Sequence, residues 1–184
     1  MNKYINQFIR LKSAPDLLAY KIFPNVKEIC ESYSCRNILY KFYPHIIMND
    51  PNINIIVIGD GRQPRTGAFF AFTTAHNIIS IDPNFSEKWA NNNHTMDRLL
   101  CIKDRAERLM FDYDNIVLIA PHAHVNINNL CQKWKFKTMY IVSMPCCLKD
   151  QQILNKKVGF HYRDTEIPSP ENHLFGWKII KEEK

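Results

Sequence analysis

Residues that could bind a ligand or do chemistry follow five short apolar runs of the chain. They are glycines, carboxylates, a guanidinium, imidazoles and thiols, in chain order Gly59, Asp60, Gly61, Arg65, Asp82, Asp104, His122, His124, Cys146 and Cys147. Glycine admits a ligand close to the backbone, and carboxylates accept hydrogen bonds from hydroxyl and amino groups. Histidine exchanges protons near neutral pH, and cysteine acts as a nucleophile or a metal ligand. The pattern predicts a ligand site at strand ends, with acid–base chemistry beside it.

The first candidate segment is the glycine turn Gly59-Asp60-Gly61, which directly follows an apolar run. Its glycines allow a sharp turn without a Cβ in the way of a ligand. Pro64 suits the first turn of a helix, because its missing N–H would have no intrahelical partner there. The N–H groups and positive dipole end of such a helix favour a carboxylate or phosphate, and Arg65 could add a bidentate donor.

Two acidic residues end the next two apolar runs. Asp82 follows Ile79-Ser80-Ile81, where a carboxylate can accept hydrogen bonds from two ribose hydroxyls. Asp104 follows the third run, where it could accept from an adenine amino group. An aspartate after a strand is also a common helix cap, so each signal is weak alone. Their consistent placement favours a ligand that carries a nucleoside.

His122 and His124 follow the fourth run and are the candidate general bases. The alternative is that one caps a helix and the other is a solvated loop residue. Cys146, after the fifth run, is a weaker candidate for a thiolate nucleophile.

The same two histidines with Cys146 and Cys147 raise a minority hypothesis of a four-ligand zinc site. Spacing of the Cys-x-x-Cys kind is absent, and two adjacent side chains cannot easily reach one ion from an extended strand end. Structural thiols are therefore favoured, and no metal is predicted.

The elements that position these residues follow from the apolar runs at residues 53–58, 78–81, 99–102, 116–120 and 139–142. Continuous runs rich in Ile and Val are typical of strands buried on both faces of a parallel sheet. Two further runs, 158–163 and 174–180, have too little sequence between them for a helical crossover and are predicted to pair antiparallel. The expected fold is α/β: a doubly wound, mostly parallel sheet with a C-terminal antiparallel strand pair.

Residues 4–43 carry apolar residues at helical spacings and predict a helical N-terminal section. The turn-rich stretch Asn49-Asp50-Pro51-Asn52 separates this section, residues 1–50, from an α/β core at 51–184. A chain of 184 residues favours one domain over its whole length.

Composition limits the class of protein and its partners. The formal net charge of +6 favours contact with a polyanion such as nucleic acid, RNA foremost, although solubility alone explains the same excess. The six cysteines show no disulfide spacing and are expected to be reduced thiols. No apolar run approaches the length of a membrane span, and the N-terminus lacks the pattern of a secretory signal, so a cytoplasmic location is expected by default.

The arrangement resembles the class I S-adenosylmethionine-dependent methyltransferases over residues 52–180. The resemblance rests on the closing strand pair and on three segments, Ile56-Val57-Ile58-Gly59-Asp60-Gly61, Ile79-Ser80-Ile81-Asp82 and Ile102-Lys103-Asp104-Arg105-Ala106-Glu107. It implies S-adenosylmethionine as the cofactor. It also implies that Gly59 and Gly61 lie against the methionine part, Asp82 holds the ribose and Asp104 contacts the adenine.

The sequence departs from the family pattern at the glycine turn. Val57 stands where the family usually has an acidic residue, and five residues separate Gly61 from Gly67. The hypothesis is that Asp60 takes over the contact with the methionine ammonium and that Arg65 holds the methionine carboxylate.

The expected function is methyl transfer from S-adenosylmethionine to an unidentified acceptor, with RNA or another nucleic acid as a candidate. One alternative is a non-catalytic Rossmann-like module that binds nucleic acid or a protein, and a third hypothesis is an enzyme that cleaves a bound nucleotide. A nicotinamide site is disfavoured because Pro64 stands at the third glycine position of Gly-x-Gly-x-x-Gly. A triphosphate site is disfavoured because no Gly-Lys-Ser/Thr follows the turn.

Overall fold

A computed structural model describes residues 2–45, 53–92, 94–147 and 153–181. It contains a seven-stranded sheet in the order β3-β2-β1-β4-β5-β7-β6. The strands are β1 Asn54–Ile58, β2 Asn77–Ile81, β3 Leu99–Ile102, β4 Asn115–Pro121, β5 Thr138–Met144, β6 Phe160–Arg163 and β7 His173–Ile180.

The sheet confirms the predicted α/β fold. Strands β1 to β5 pair in parallel, whereas β7 pairs antiparallel with both β5 and β6. Each of the five apolar runs forms a parallel strand, and the two C-terminal runs form the antiparallel pair. The strand order reverses between β1 and β4, and ligands of doubly wound sheets bind outside the carboxyl ends of the strands at such a point.

The side chains of β1 show why continuous apolar runs form this sheet. Ile55 and Val57 pack into one core, beneath the N-terminal helices, while Ile56 and Ile58 pack into a second core on the opposite face. Successive residues of a strand point to opposite faces, so a strand covered on both sides must be apolar at every position.

The helices are α1 Lys3–Phe8, α2 Ala14–Ala19, α3 Val26–Phe42, α4 Arg65–Thr73, α5 Glu87–Ala90 and α6 Ile127–Lys133, with a short 3₁₀ turn at Ala106–Arg108. The first three confirm the predicted helical N-terminal section. The proposed boundary at Asn49-Asp50-Pro51-Asn52 falls outside the described residues. Among the helices that are described, none has the length and apolar character that crossing a bilayer requires.

Helix α3 brings its first turns to the edge of the sheet where the strands end. Asn25 caps the helix by accepting a hydrogen bond from the backbone N–H of Glu28 at 3.1 Å. The rings of Tyr33 and Phe69 pack with centroids 4.5 Å apart and hold α3 against α4. As a result Glu28 and Glu31, one turn apart, line a cavity beside the glycine turn.

Candidate functional site

The carboxylate of Asp60 organises the glycine turn from within. It is buried, with an exposed fraction of 1%. One oxygen accepts a hydrogen bond from the backbone N–H of Thr66 at 2.8 Å. The other accepts from the N–H of Gly67 at 2.8 Å and from the Ser80 hydroxyl at 2.6 Å. Burial raises the pKa of Asp60, and these three donors oppose that rise.

This geometry corrects one expectation. The N-terminus of α4, expected to hold a carboxylate or phosphate of a ligand, already binds the carboxylate of Asp60. The Asp60 side chain, for which the sequence predicts a contact with a methionine ammonium, is turned toward α4 and β2. Asp60 therefore shapes the turn, and the predicted contact of its side chain with a methionine ammonium stays a prediction.

The helix does begin where Pro64 predicted, with Arg65 as its first residue. The Arg65 guanidinium lies 2.6 Å from a carboxylate oxygen of Glu28 and donates from Nε to the backbone carbonyl of Asp60 at 2.9 Å. Burial, the largest effect, raises the pKa of Glu28, and the charge of Arg65 opposes it. The predicted contact of Arg65 with a ligand carboxylate stays a prediction.

Asp82 and Asp104 lie at the ends of neighbouring strands, as the sequence predicted. Asp82 is buried, and its two oxygens accept from the backbone N–H groups of Gly61 and Asn84, each at 2.7 Å. Asp104 is more exposed and accepts from the N–H of Arg105 at 2.7 Å. A carboxylate has about four lone-pair sites, so Asp82 can accept two more hydrogen bonds.

Both aspartates line a cavity of about 400 Å³, here called the Asp82 cavity, with the other walls formed by Ile58, Gly59, Ile81, Pro83, Asn84, Arg105, Ala106, Glu107, His122, Ala123, His124 and Val125.

A second cavity of about 360 Å³, here called the Glu31 cavity, lies beneath the start of α3. It is lined by Lys27, Glu28, Glu31, Gly59, Asp60, Arg65, Thr66, Pro121, His122, Cys146 and Glu171. Gly59 and His122 line both cavities. The two spaces therefore adjoin at the ends of β1 and β4, where the strand order reverses.

His122 and Glu31 form an ion pair between the sheet and α3. His122 Nε2 lies 2.7 Å from a carboxylate oxygen of Glu31, which also lies 3.2 Å from the Lys27 ammonium. Burial lowers the pKa of His122, but the hydrogen bond and charge of Glu31 outweigh this effect and leave the pKa raised. Burial raises the pKa of Glu31, and the contacts with His122 and Lys27 leave it lowered overall.

Two further features describe the setting of His122. Its backbone has φ of 55°, a left-handed conformation that costs energy for a residue with a Cβ. Its Nδ1 is buried and has no hydrogen-bond partner among the described residues. The sequence predicted His122 as a site residue but gave no signal for Glu31. Lys27 and Glu31 at an i, i+4 spacing look like an ordinary surface pair on a helix.

His124, the second predicted base, has different partners. Its Nε2 lies 3.2 Å from Cys146 Sγ and 3.1 Å from Cys147 Sγ. The structure thus brings three of the four residues of the zinc hypothesis together and turns His122 away toward Glu31. All six cysteines lie in described parts of the chain, and none of them forms a disulfide.

Comparison with known proteins gives a likeness of fold. No family profile and no curated protein matches the sequence. A variant of MtNAS in complex with S-adenosylmethionine superposes with a TM-score of 0.54 at 13% identity, covering 95% of this chain and 69% of that one. MtNAS in complex with MTA and tNA superposes with a TM-score of 0.53 at 13% identity, covering 98% of this chain and 70% of that one.

The magnesium protoporphyrin IX methyltransferase ChlM from Synechocystis PCC 6803, with bound SAH, gives a TM-score of 0.51 at 8% identity, covering 84% of each chain. At these identities the likeness concerns the fold alone. The chain has the class I S-adenosylmethionine-dependent methyltransferase fold.

Proposed function

We propose that this chain binds S-adenosylmethionine across the Asp82 and Glu31 cavities and transfers its methyl group to an acceptor in the Glu31 cavity. The observation that carries the proposal is that both cavities share Gly59 and His122 at the switch point of the sheet. A cofactor with a nucleoside at one end and an amino acid at the other needs such a divided site.

The residues of the Asp82 cavity fit the nucleoside part. Asp82 has two lone-pair sites left for ribose hydroxyls after accepting from Gly61 and Asn84. Asp104 lines the same cavity, where it can accept from an adenine amino group. Gly59, with no Cβ, leaves room for the cofactor to pass between the cavities. Arg65, on the wall of the Glu31 cavity, is the candidate donor to the methionine carboxylate.

Bound S-adenosylmethionine supplies an electrophilic methyl group, and the chain has to orient and deprotonate the acceptor. His122 lies where the cavities meet, and Glu31 binds its Nε2, which places the ring beside an acceptor in the Glu31 cavity. In this role His122 takes the proton that the acceptor loses as the methyl group arrives. Glu31 is the positioning residue for this imidazole.

The class of acceptor stays a prediction. The net charge of +6 supports a nucleic acid, with RNA as the first candidate. The Glu31 cavity itself carries three glutamates, Glu28, Glu31 and Glu171, beside Lys27 and Arg65. A nucleic acid would therefore present a base to this cavity and keep its phosphates outside, because phosphates would be repelled by the carboxylates.

Replacing Asp82 with alanine should weaken binding of S-adenosylhomocysteine by about tenfold or more, since each hydrogen bond to a charged group is worth about 1.5–3 kcal/mol. The same substitution should change the affinity for the 2′,3′-dideoxy analogue much less, because that ligand lacks the hydroxyls that Asp82 would bind. Titration calorimetry of both ligands against both proteins measures this difference.

The exposed Asp112, whose side chain is 75% accessible, provides the control variant Asp112→Ala. A thermal melt of each protein shows whether the turn around Gly61 survives the loss of Asp82. If Asp82→Ala weakens the binding of both ligands equally, the predicted contact of Asp82 with the ribose hydroxyls is contradicted. Absence of binding of S-adenosylmethionine and S-adenosylhomocysteine to the parent protein would contradict the proposed function and favour the non-catalytic module.

A further inference from the structure

We infer that His124, Cys146 and Cys147 form a zinc site at the rim of the two cavities. His124 follows the end of β4, and the two cysteines follow the end of β5. These strands are hydrogen-bonded neighbours, with Pro121 opposite Met144 at their last pair. The topology therefore brings an imidazole and two thiols to one place from segments more than twenty residues apart.

The sulfur–sulfur distance within this trio matches a tetrahedral ligand set, and the two nitrogen–sulfur distances come close to it. Zinc binds sulfur at about 2.3 Å and nitrogen at about 2.0–2.1 Å, which places two sulfurs about 3.8 Å apart and a sulfur and a nitrogen about 3.6 Å apart. The two Sγ atoms are 3.7 Å apart. The imidazole Nε2 lies 3.2 and 3.1 Å from them, so it has to move outward by about half an ångström to take its place around an ion.

The path of the chain explains how two adjacent cysteines can share one ion. The sequence suggested that neighbouring side chains would diverge, as they do along an extended strand. Here β5 ends at Met144, Pro145 follows, and the backbone bends at Cys147. Both sulfurs consequently face the same imidazole nitrogen.

The donor types select the metal. Thiolates with an imidazole favour Zn²⁺ over the hard cations Mg²⁺ and Ca²⁺, which prefer oxygen ligands. Two cysteines and one histidine form a zinc ligand set in which the fourth position is taken by water or a substrate. His122 is not a member, because its Nε2 is bound to Glu31.

The trio adjoins both cavities without belonging to the proposed cofactor contacts. Cys146 lines the Glu31 cavity and His124 lines the Asp82 cavity. The ion would lie between the end of β4 and the end of β5, beside the space assigned to the acceptor. Zinc binding is thus an inference separate from cofactor binding, and each can fail without the other.

The test uses the full chain, purified in reduced form, stripped of metal with a chelator and dialysed against Zn²⁺. Elemental analysis should find about one equivalent of zinc per chain, and Cys147→Ala should retain less than about a tenth of that. Because Cys147 is exposed, its substitution leaves the fold intact, and circular dichroism checks this. Replacement of zinc by Co²⁺ should give a thiolate-to-cobalt absorption band in the parent protein and none in Cys147→Ala.

Cys101→Ala is the matched control. Cys101 is buried, and burial raises the pKa of its thiol to about 12, so it stays protonated and does not bind zinc. Its replacement should therefore leave the zinc content unchanged. Less than about a tenth of an equivalent of zinc in the parent protein would overturn the inference. Full zinc content in both Cys147→Ala and His124→Gln would overturn it as well.

Discussion

Replacing Asp60 with alanine is expected to lower the free energy of unfolding by about 4 kcal/mol. The substitution removes the acceptor of three buried donors at once, the N–H groups of Thr66 and Gly67 and the hydroxyl of Ser80. Each hydrogen bond to a charged group contributes about 1.5–3 kcal/mol, and a buried donor left without a partner adds a desolvation cost. Urea denaturation followed by circular dichroism measures the loss.

Two further variants show whether the loss comes from these hydrogen bonds. Asp112→Ala removes a carboxylate that is 75% accessible and should change stability by no more than about 0.5 kcal/mol. Asp60→Asn keeps one acceptor oxygen but turns an amide N–H₂ toward a backbone donor. Its free energy of unfolding should therefore lie between those of Asp60→Ala and the parent protein. A loss below about 1 kcal/mol in Asp60→Ala would contradict this role of the carboxylate.

The case of Asp60 shows what the sequence could predict about the site and what it could not. Gly59, Gly61 and Pro64 predicted a turn and the start of a helix, because each acts through local backbone preferences. The direction of the Asp60 side chain depends on the path of the loop and on Ser80, which comes from a neighbouring strand. No local pattern encodes that pairing.

The same distinction holds for the rest of the fold and the site. The strands were predictable because a strand buried on both faces needs an apolar residue at every position, and this leaves a continuous run in the sequence. His122 and His124 were placed correctly at a strand end, but their rings go to different partners, Glu31 and the two cysteines. Glu31 was missed because its helix packs over the site only through tertiary contacts.

Gly59→Ala is expected to destabilise the protein by about 3 kcal/mol, against about 1 kcal/mol for Gly61→Ala. The two glycines have nearly the same left-handed backbone, with φ of 77° and 79°. A side chain therefore meets a left-handed φ at either position, and this strain is partly offset by the reduced entropy of the unfolded chain. Urea denaturation gives the free energy of unfolding of each variant, and the difference between the two values removes this shared contribution.

The remaining difference comes from what each new Cβ would meet. At Gly59 it would lie 2.7 Å from the Cα of Ala123, a backbone atom just beyond the end of β4 that cannot move alone. At Gly61 it would lie 2.6 Å from the end of the Arg65 guanidinium, a flexible side chain that can shift if its contacts with Glu28 and the Asp60 carbonyl give way. An equal loss of free energy of unfolding in the two variants would show that the close approach of Gly59 to Ala123 does not require glycine. A larger loss at Gly59 would show that glycine is needed here for close packing of the ends of β1 and β4, the contact that lets one residue line both cavities.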